Sequence, residues 1–243
     1  MNKIRRNIPN AITCGNLFCG CLAIVKAFEG NLVWAAYLVG IAAVLDFFDG
    51  FAARLLKVSS PIGKDLDSLA DMVTFGVVPG VVMFQLLKIS AAVMKDAPDW
   101  NYLPYLGFMI SVFSGIRLAK FNNDTRQTDS FIGVNTPANS MLICSLPLII
   151  GETFQSEAAV FILNSYFLAV LTIVMSLLLV SELPLFSFKV KSFGWKGNEI
   201  RFIFLVLALM LFGFLHFIGI PLVIVLYILM SIINNLINRP AKD

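Results

Sequence analysis

Charge is scarce in this chain. Only 14% of its 243 residues are Asp, Glu, Lys or Arg, against about 25% in an ordinary globular domain. With 58% of residues hydrophobic, 22 phenylalanines and a mean hydropathy of +0.85, too little polar surface remains to coat a globule in water. Histidine is scarcer still. His216 is the single one, remote from the acidic residues described below, and it excludes a Ser–His pair among them. Cys14, Cys19, Cys21 and Cys144 fall in apolar runs. Their spacing matches neither a zinc site nor a disulfide framework, and they read as small buried hydrophobes. No repeat, low-complexity tract or linker interrupts the sequence, so residues 1–243 are taken as one domain. No basic helix or aromatic platform suggests a nucleic-acid partner.

Long apolar runs take the place of charge. Stretches able to cross about 30 Å of hydrocarbon lie near residues 12–29, 31–53, 66–88, 102–121, 138–153, 158–182, 202–218 and 219–237. The expected fold is therefore an all-α polytopic membrane bundle of about eight transmembrane helices. The last two runs divide around Gly219 and Pro221. The N-terminus carries basic residues but no small-residue cleavage site after its apolar run, so it is read as a retained first helix. With eight spans, every Lys and Arg except Lys26, Lys88 and Lys95 falls on one side. Positive charge stays cytoplasmic, which places both termini and the polar connections 54–65, 122–137 and 186–200 there. Lys189, Lys191 and Lys196 read as a belt for lipid headgroups.

Against that background, Asp46, Asp49, Asp67 and Asp71 stand out. An Asp at the centre of a membrane helix costs about 2.5–3.5 kcal/mol, so four of them imply a compensating ligand. The i, i+3 and i, i+4 spacings place each pair on one helix face, and a short connection brings the pairs together. Hard carboxylate oxygens select Mg²⁺ or Mn²⁺, and four of them repel unless one or two cations lie between. Gly50 and Ala53 leave room for a bulky ligand near the backbone. Arg54 supplies a forked cation suited to phosphate. Pro61 and Gly63 shape the turn, and Ser59 and Ser60 add hydroxyls. These are parts for a metal-bound pyrophosphate at the membrane surface, where two ions activate one oxygen and stabilise another. Asp65 breaks the i, i+4 pattern and is expected to face water.

The spacing Asp46-x2-Asp49-Gly50-x2-Ala53-Arg54-x8-Gly63-x3-Asp67-x3-Asp71 resembles, without gap or mismatch, the motif of the CDP-alcohol phosphatidyltransferases. The resemblance implies that Asp46, Asp49 and Asp67 are metal ligands, and that Asp71 is both a ligand and the base that deprotonates the acceptor alcohol. It further implies CDP-lipid contacts at Gly50, Ala53, Arg54, Ser60 and Gly63, with Asn10 and Thr13 in PNAITCGN as an upstream nucleotide-contacting segment. LDSLADMVTFGVVPG at 66–80, GIRLAKFN at 115–122, TPAN at 136–139 and PLFSFK at 184–189 look like the integral-membrane phosphatidylserine synthases. That subgroup implies a six-helix core with two extra C-terminal helices, a homodimer, CDP-diacylglycerol and L-serine as substrates, and CMP as a product.

Serine carries a carboxylate and an ammonium. Arg117 and Lys120 are placed to hold the carboxylate, with Asn122 adding a hydrogen bond; ordinary positive-inside anchoring is the competing reading. Glu182, two residues before Pro184, reads as structural. Glycerol 3-phosphate or an inositol phosphate as acceptor would call for more basic residues than Arg117, Lys120 and Arg126. A cation-coupled transporter would show paired repeats and broken helices at the midplane. An intramembrane aspartyl protease would leave Gly50, Arg54 and the second Asp pair unexplained.

Overall fold

A computed structural model describes residues 3–58, 60–93, 101–124, 130–153, 156–186, 194 and 198–237. Ser59, Lys95, Arg126, Lys189, Lys191, Lys196, Arg239 and Lys242 lie outside the described residues. Helix α1 (Lys3–Phe28) is followed by α2 (Leu32–Leu56). Gly30 at φ 79° makes the turn between them, and Asn31 caps α2 by accepting from Trp34 N–H at 3.3 Å. Ala23, Ala27, Ala35, Ala36 and Ala42 are buried. Small side chains let membrane helices approach closely, and α1 and α2 form an extensive pair.

The third apolar run is one continuous helical pass. It comprises α3 (Pro61–Asp71), a π-turn (Met72–Val77) and α4 (Val78–Val93). A 3-10 turn (Leu103–Gly107) leads into α5 (Phe108–Asn123), and α6 (Thr136–Glu152) returns across the bundle. The run expected at 158–182 divides into α7 (Glu157–Ile162) and α8 (Ser165–Val180), because Asn164 Oδ1 accepts from Tyr166 and Phe167 N–H and starts a new helix. Among the described residues, two three-residue strands interrupt a helical fold. Strand β1 (Ser130–Ile132) pairs antiparallel with β2 (Pro184–Phe186), Phe131 opposite Leu185.

The last element, α9 (Glu199–Ile237), doubles back at His216, whose φ of 49° and ψ of −124° are non-helical. A Cβ on Gly219 would stand 2.6 Å from Leu211 O, and the Tyr227 ring packs 5.7 Å from Phe204. Both contacts need antiparallel arms. The reversal therefore falls near the division expected at Gly219, three residues earlier. Counting both arms, the described residues form eight apolar passes of an all-α membrane bundle. By length and composition, Asn7–Phe28, Leu32–Leu56, Pro61–Val93 and Glu199–Ile237, the last folded at His216, are long and apolar enough to span. Cys144 is buried as expected, but Cys14 and Cys21 are exposed on the outer face of α1. In a bilayer an outward thiol meets hydrocarbon, so burial by protein is not required of it.

A backbone with φ and ψ of this kind suits glycine and costs other residues about 1–3 kcal/mol. His216→Gly is therefore expected to stabilise the protein by about 1 kcal/mol, read as a raised thermal midpoint in detergent.

Candidate active site

Three local features bring the two Asp pairs together. Helix α2 stops at Lys57, which adopts the left-handed conformation at φ 52° and returns its N–H to Ala53 and Arg54 carbonyls. Ser60 then caps α3, its Oγ accepting from Gly63 N–H at 3.0 Å, and Pro61 starts the helix where a missing N–H is harmless. Gly63 is pressed against α1: a Cβ there would lie 2.9 Å from Asn10 Oδ1 and 3.0 Å from Ser60 Oγ. The connection is thus too tight to hold the pairs apart.

One carboxylate oxygen from each of Asp46, Asp49 and Asp67 lies within 4.8 Å of the others. At that separation and an effective dielectric of about 20, each ionised pair repels by about 3–4 kcal/mol. Among the described residues no Lys or Arg forms an ion pair with these groups. Asp49, 6% exposed, accepts from Thr13 Oγ1–H at 2.7 Å. Asp71 lies alongside Asp46, and its Oδ1 is buried with no hydrogen-bond partner. An all-carboxylate donor set, one buried orphan oxygen and the lack of an ion pair among the described residues fit a divalent metal, which these residues could hold.

The cluster opens into a cavity of about 530 Å³. Its lining brings together Asn10, Thr13, Asp46, Asp49, Gly50, Ala53, Arg54, Ser60, Gly63, Asp67 and Asp71, every residue that the sequence assigned to the metal or the CDP-lipid. Phe47 and Lys64 line it as well. Lys64 directly follows Gly63 and was legible only as part of the basic bias. Asp65 is exposed and outside the lining, as expected.

The three acceptor candidates separate. Arg117, 6% exposed, donates from Nε to Val134 O at 2.6 Å, and its guanidinium lies 5.5 Å from the Phe121 ring centroid. Arg117 and Lys120 line a second cavity of about 390 Å³ with Asn123, Asp124, Ser181 and Glu182. Asn122 does not reach it; its amide donates to Ser68 Oγ at 3.0 Å. Met72, next to Asp71, stands 3.6 Å from where a Cβ on Gly115 would lie, and Asn122 bonds Ser68, so the end of α5 that carries Arg117 lies beside α3 and the first cavity. Glu182, read as structural from sequence, and Asp124, unremarked there, bring negative charge to its wall. Gly133 shapes this wall at φ 73°, where a Cβ would stand 2.7 Å from Leu179 O.

The family model for CDP-alcohol phosphatidyltransferases matches residues 6–180. The chain belongs to that family. This agrees with the resemblance carried by the Asp motif. A CDP-diacylglycerol–serine O-phosphatidyltransferase from Bacillus subtilis is 33% identical over 186 residues, covering 75% of this chain and 91% of the relative. A protein of the same name from Helicobacter pylori J99 is 34% identical over 137 residues, 56% of this chain and 54% of the relative. An archaetidylserine synthase from Methanothermobacter thermautotrophicus is 32% identical over 161 residues, 64% of this chain and 63% of the relative.

The Thr13 hydroxyl orients Asp49 from outside the carboxylate set. Hydrogen-bond partners of metal ligands are commonly worth about 10–100-fold in metal affinity. Thr13→Val is expected to raise the Mg²⁺ or Mn²⁺ concentration for half-maximal activity by about 10-fold or more, in a metal titration of purified protein.

Proposed function

We propose that this protein transfers the phosphatidyl group of CDP-diacylglycerol to the hydroxyl of L-serine, giving phosphatidylserine and CMP. The observation that carries the reading is the pair of adjoining cavities. One gathers four carboxylates with Arg54 and Lys64. The other carries both signs of charge, Arg117 and Lys120 with Asp124 and Glu182. A zwitterionic amino acid matches such a mixed lining. Glycerol 3-phosphate or an inositol phosphate carries a dianionic phosphate and would meet two carboxylates. The serine-named relatives support the same choice.

A divalent ion held by Asp46, Asp49, Asp67 and Asp71 would polarise the pyrophosphate oxygens and neutralise developing charge. Two such ions, Mg²⁺ or Mn²⁺, suit the donor set. Asp71 accepts the proton of the serine hydroxyl as its oxygen bonds to the β-phosphorus. The bond from that phosphorus to the oxygen bridging to CMP breaks, and CMP leaves with its new charge facing Arg54. Thr13 holds Asp49 in place, while Gly50 and Ala53 let the pyrophosphate approach α2. Arg117 and Lys120 hold the serine carboxylate. Direct displacement suits a site with no activated nucleophile. The acyl chains stay in the bilayer, with the reaction at the cytoplasmic face of the inner membrane, the side set by the Lys and Arg bias.

Purified protein with CDP-diacylglycerol and Mg²⁺ or Mn²⁺ is expected to release CMP on addition of serine, alongside a serine-containing lipid. Release with glycerol 3-phosphate or an inositol phosphate instead would overturn the acceptor and keep the family chemistry. Asp71→Asn is expected to abolish transfer in protein that still folds; substantial residual activity would remove Asp71 from its role. Lys120 is exposed, so Lys120→Ala separates binding from folding. It should raise the KM for serine about tenfold, in the range of a lost charged hydrogen bond, with the KM for CDP-diacylglycerol unchanged.

A further inference from the structure

Three sequence segments outside the Asp motif place polar groups where the reaction above leaves them unused. Asn16 closes PNAITCGN on α1, Asn139 closes TPAN on α6, and Ser114 stands just before GIRLAKFN on α5. Asn16, Asn139 and Ser114 have no exposed surface. Neither amide atom of Asn16 or Asn139 has a hydrogen-bond partner, and Ser114 Oγ has none. Each amide can donate two hydrogen bonds and accept at its carbonyl, and buried polar groups left unmatched bear their full desolvation penalty.

The π-turn joins these residues to the active site. It begins at Met72, directly after Asp71, and packs against α1, α5 and α6, the three helices that carry them. Thr74 Oγ1 donates to the backbone carbonyl of Asn16 at 3.2 Å. Ser111 Oγ donates to Gly76 O at 3.0 Å, taking up a carbonyl within the turn. A Cβ on Gly76 would stand 3.1 Å from the Ser114 Cβ. Asn16 also lies one helical turn beyond Thr13, the residue that holds Asp49. Asp71 Oδ1 is the cluster's own buried oxygen without a partner. The orphan groups therefore stand on the elements wrapped around one irregular turn, and Asp71 is at its mouth. Amide N–H groups need acceptors and amide carbonyls need donors, so a cation alone would satisfy only half of the set. Water does both, and a buried water takes about three such bonds.

We propose that Asn16, Ser114 and Asn139 gather buried water against the π-turn, and that this hydrated shell fixes the Asp71 carboxyl for phosphotransfer. Asn16 and Asn139 are then positioning residues, acting through Asp71 without touching substrate. The proposal rests on the phosphotransfer reading for its kinetic arm alone.

Asn16→Leu and Asn139→Leu remove the amides and keep similar bulk. Each is expected to lower kcat by about tenfold or more, as loss of outer-shell support does at other metal sites, with the KM for CDP-diacylglycerol unchanged. The thermal midpoint should change little, since Leu keeps the packing volume while the water held by the amide is released. Asn16→Ser and Asn139→Ser, which keep a polar anchor for water, should recover most of the lost rate. Full kcat in both Leu variants would overturn the proposal. So would a parallel fall of kcat and thermal midpoint that Ser does not repair, because that marks a packing role. A high-resolution experimental structure decides the hydration separately. Ordered water bridging the two amides towards Asp71 Oδ1 supports the proposal, and direct side-chain pairing in its place overturns it. If wild-type protein releases no CMP with any alcohol, the phosphotransfer reading fails and the water structure still tests the shell.

Discussion

Mutual repulsion among carboxylates gathered at one end of an apolar bundle governs the rest of this structure. Left to themselves, Asp46, Asp49, Asp67 and Asp71 would push α2 and α3 apart. The chain opposes this with covalent and packing constraints: the left-handed Lys57, the Ser60 cap with Pro61 behind it, and the approach of Gly63 to Asn10. Close packing of α1 on α2 through alanines supplies the backing. Among the described residues no Lys or Arg forms an ion pair with the cluster, so most of the opposing charge is left for bound cations to supply. A site neutralised by its own arginines would hold no metal. Its electrostatic strain in the free protein is what a bound cation would relieve.

The carboxylate site was legible because helix geometry is local. Spacings of three and four residues translate directly into a shared face, and one short connection leaves little freedom between the pairs. Thr13 and Asn10 were legible only through motif resemblance, since nothing local ties residue 13 to residue 49. The second cavity was half legible. Arg117 and Lys120 fall on one helix and could be named, whereas Asp124, Ser181 and Glu182 join them only when the chain ends of α5 and α8 meet. Asn122 looked equivalent to its neighbours in sequence, and the rotation of α5 turns it to Ser68.

Other features left no mark in composition. The π-turn inserts one extra residue into a hydrogen-bonded cycle without a proline to announce it, because MVTFGV is as apolar as α4, into which it runs. The reversal of α9 was placed three residues late for a related reason. Gly219 and Pro221 advertise a break, but Gly219 marks the close approach of the two arms, and His216 makes the turn. Facing was the hardest to read. A bilayer makes outward surfaces as hydrophobic as inward ones, so the exposure of Cys14 and Cys21 could not be distinguished from burial by residue type.

The family match ends at residue 180, yet the chain beyond it is structurally committed to the site. Strand β2 pairs with β1. Tyr227 O–H donates to Phe186 O at 2.8 Å, and Asn235 donates to Pro184 O at 2.6 Å. The C-terminal hairpin thus acts as an external brace on the strand pair, which meets the second cavity at Ile132 and continues from the segment Leu179–Glu182 in its wall. The first cavity is drawn from the first three helices and the connection between α2 and α3, but the second is assembled from remote pieces and clamped by an appendage. Such a layout separates two inheritances. Substitutions in the hairpin can reshape one chamber by small shifts in its frame, while the carboxylate motif across the wall stays untouched.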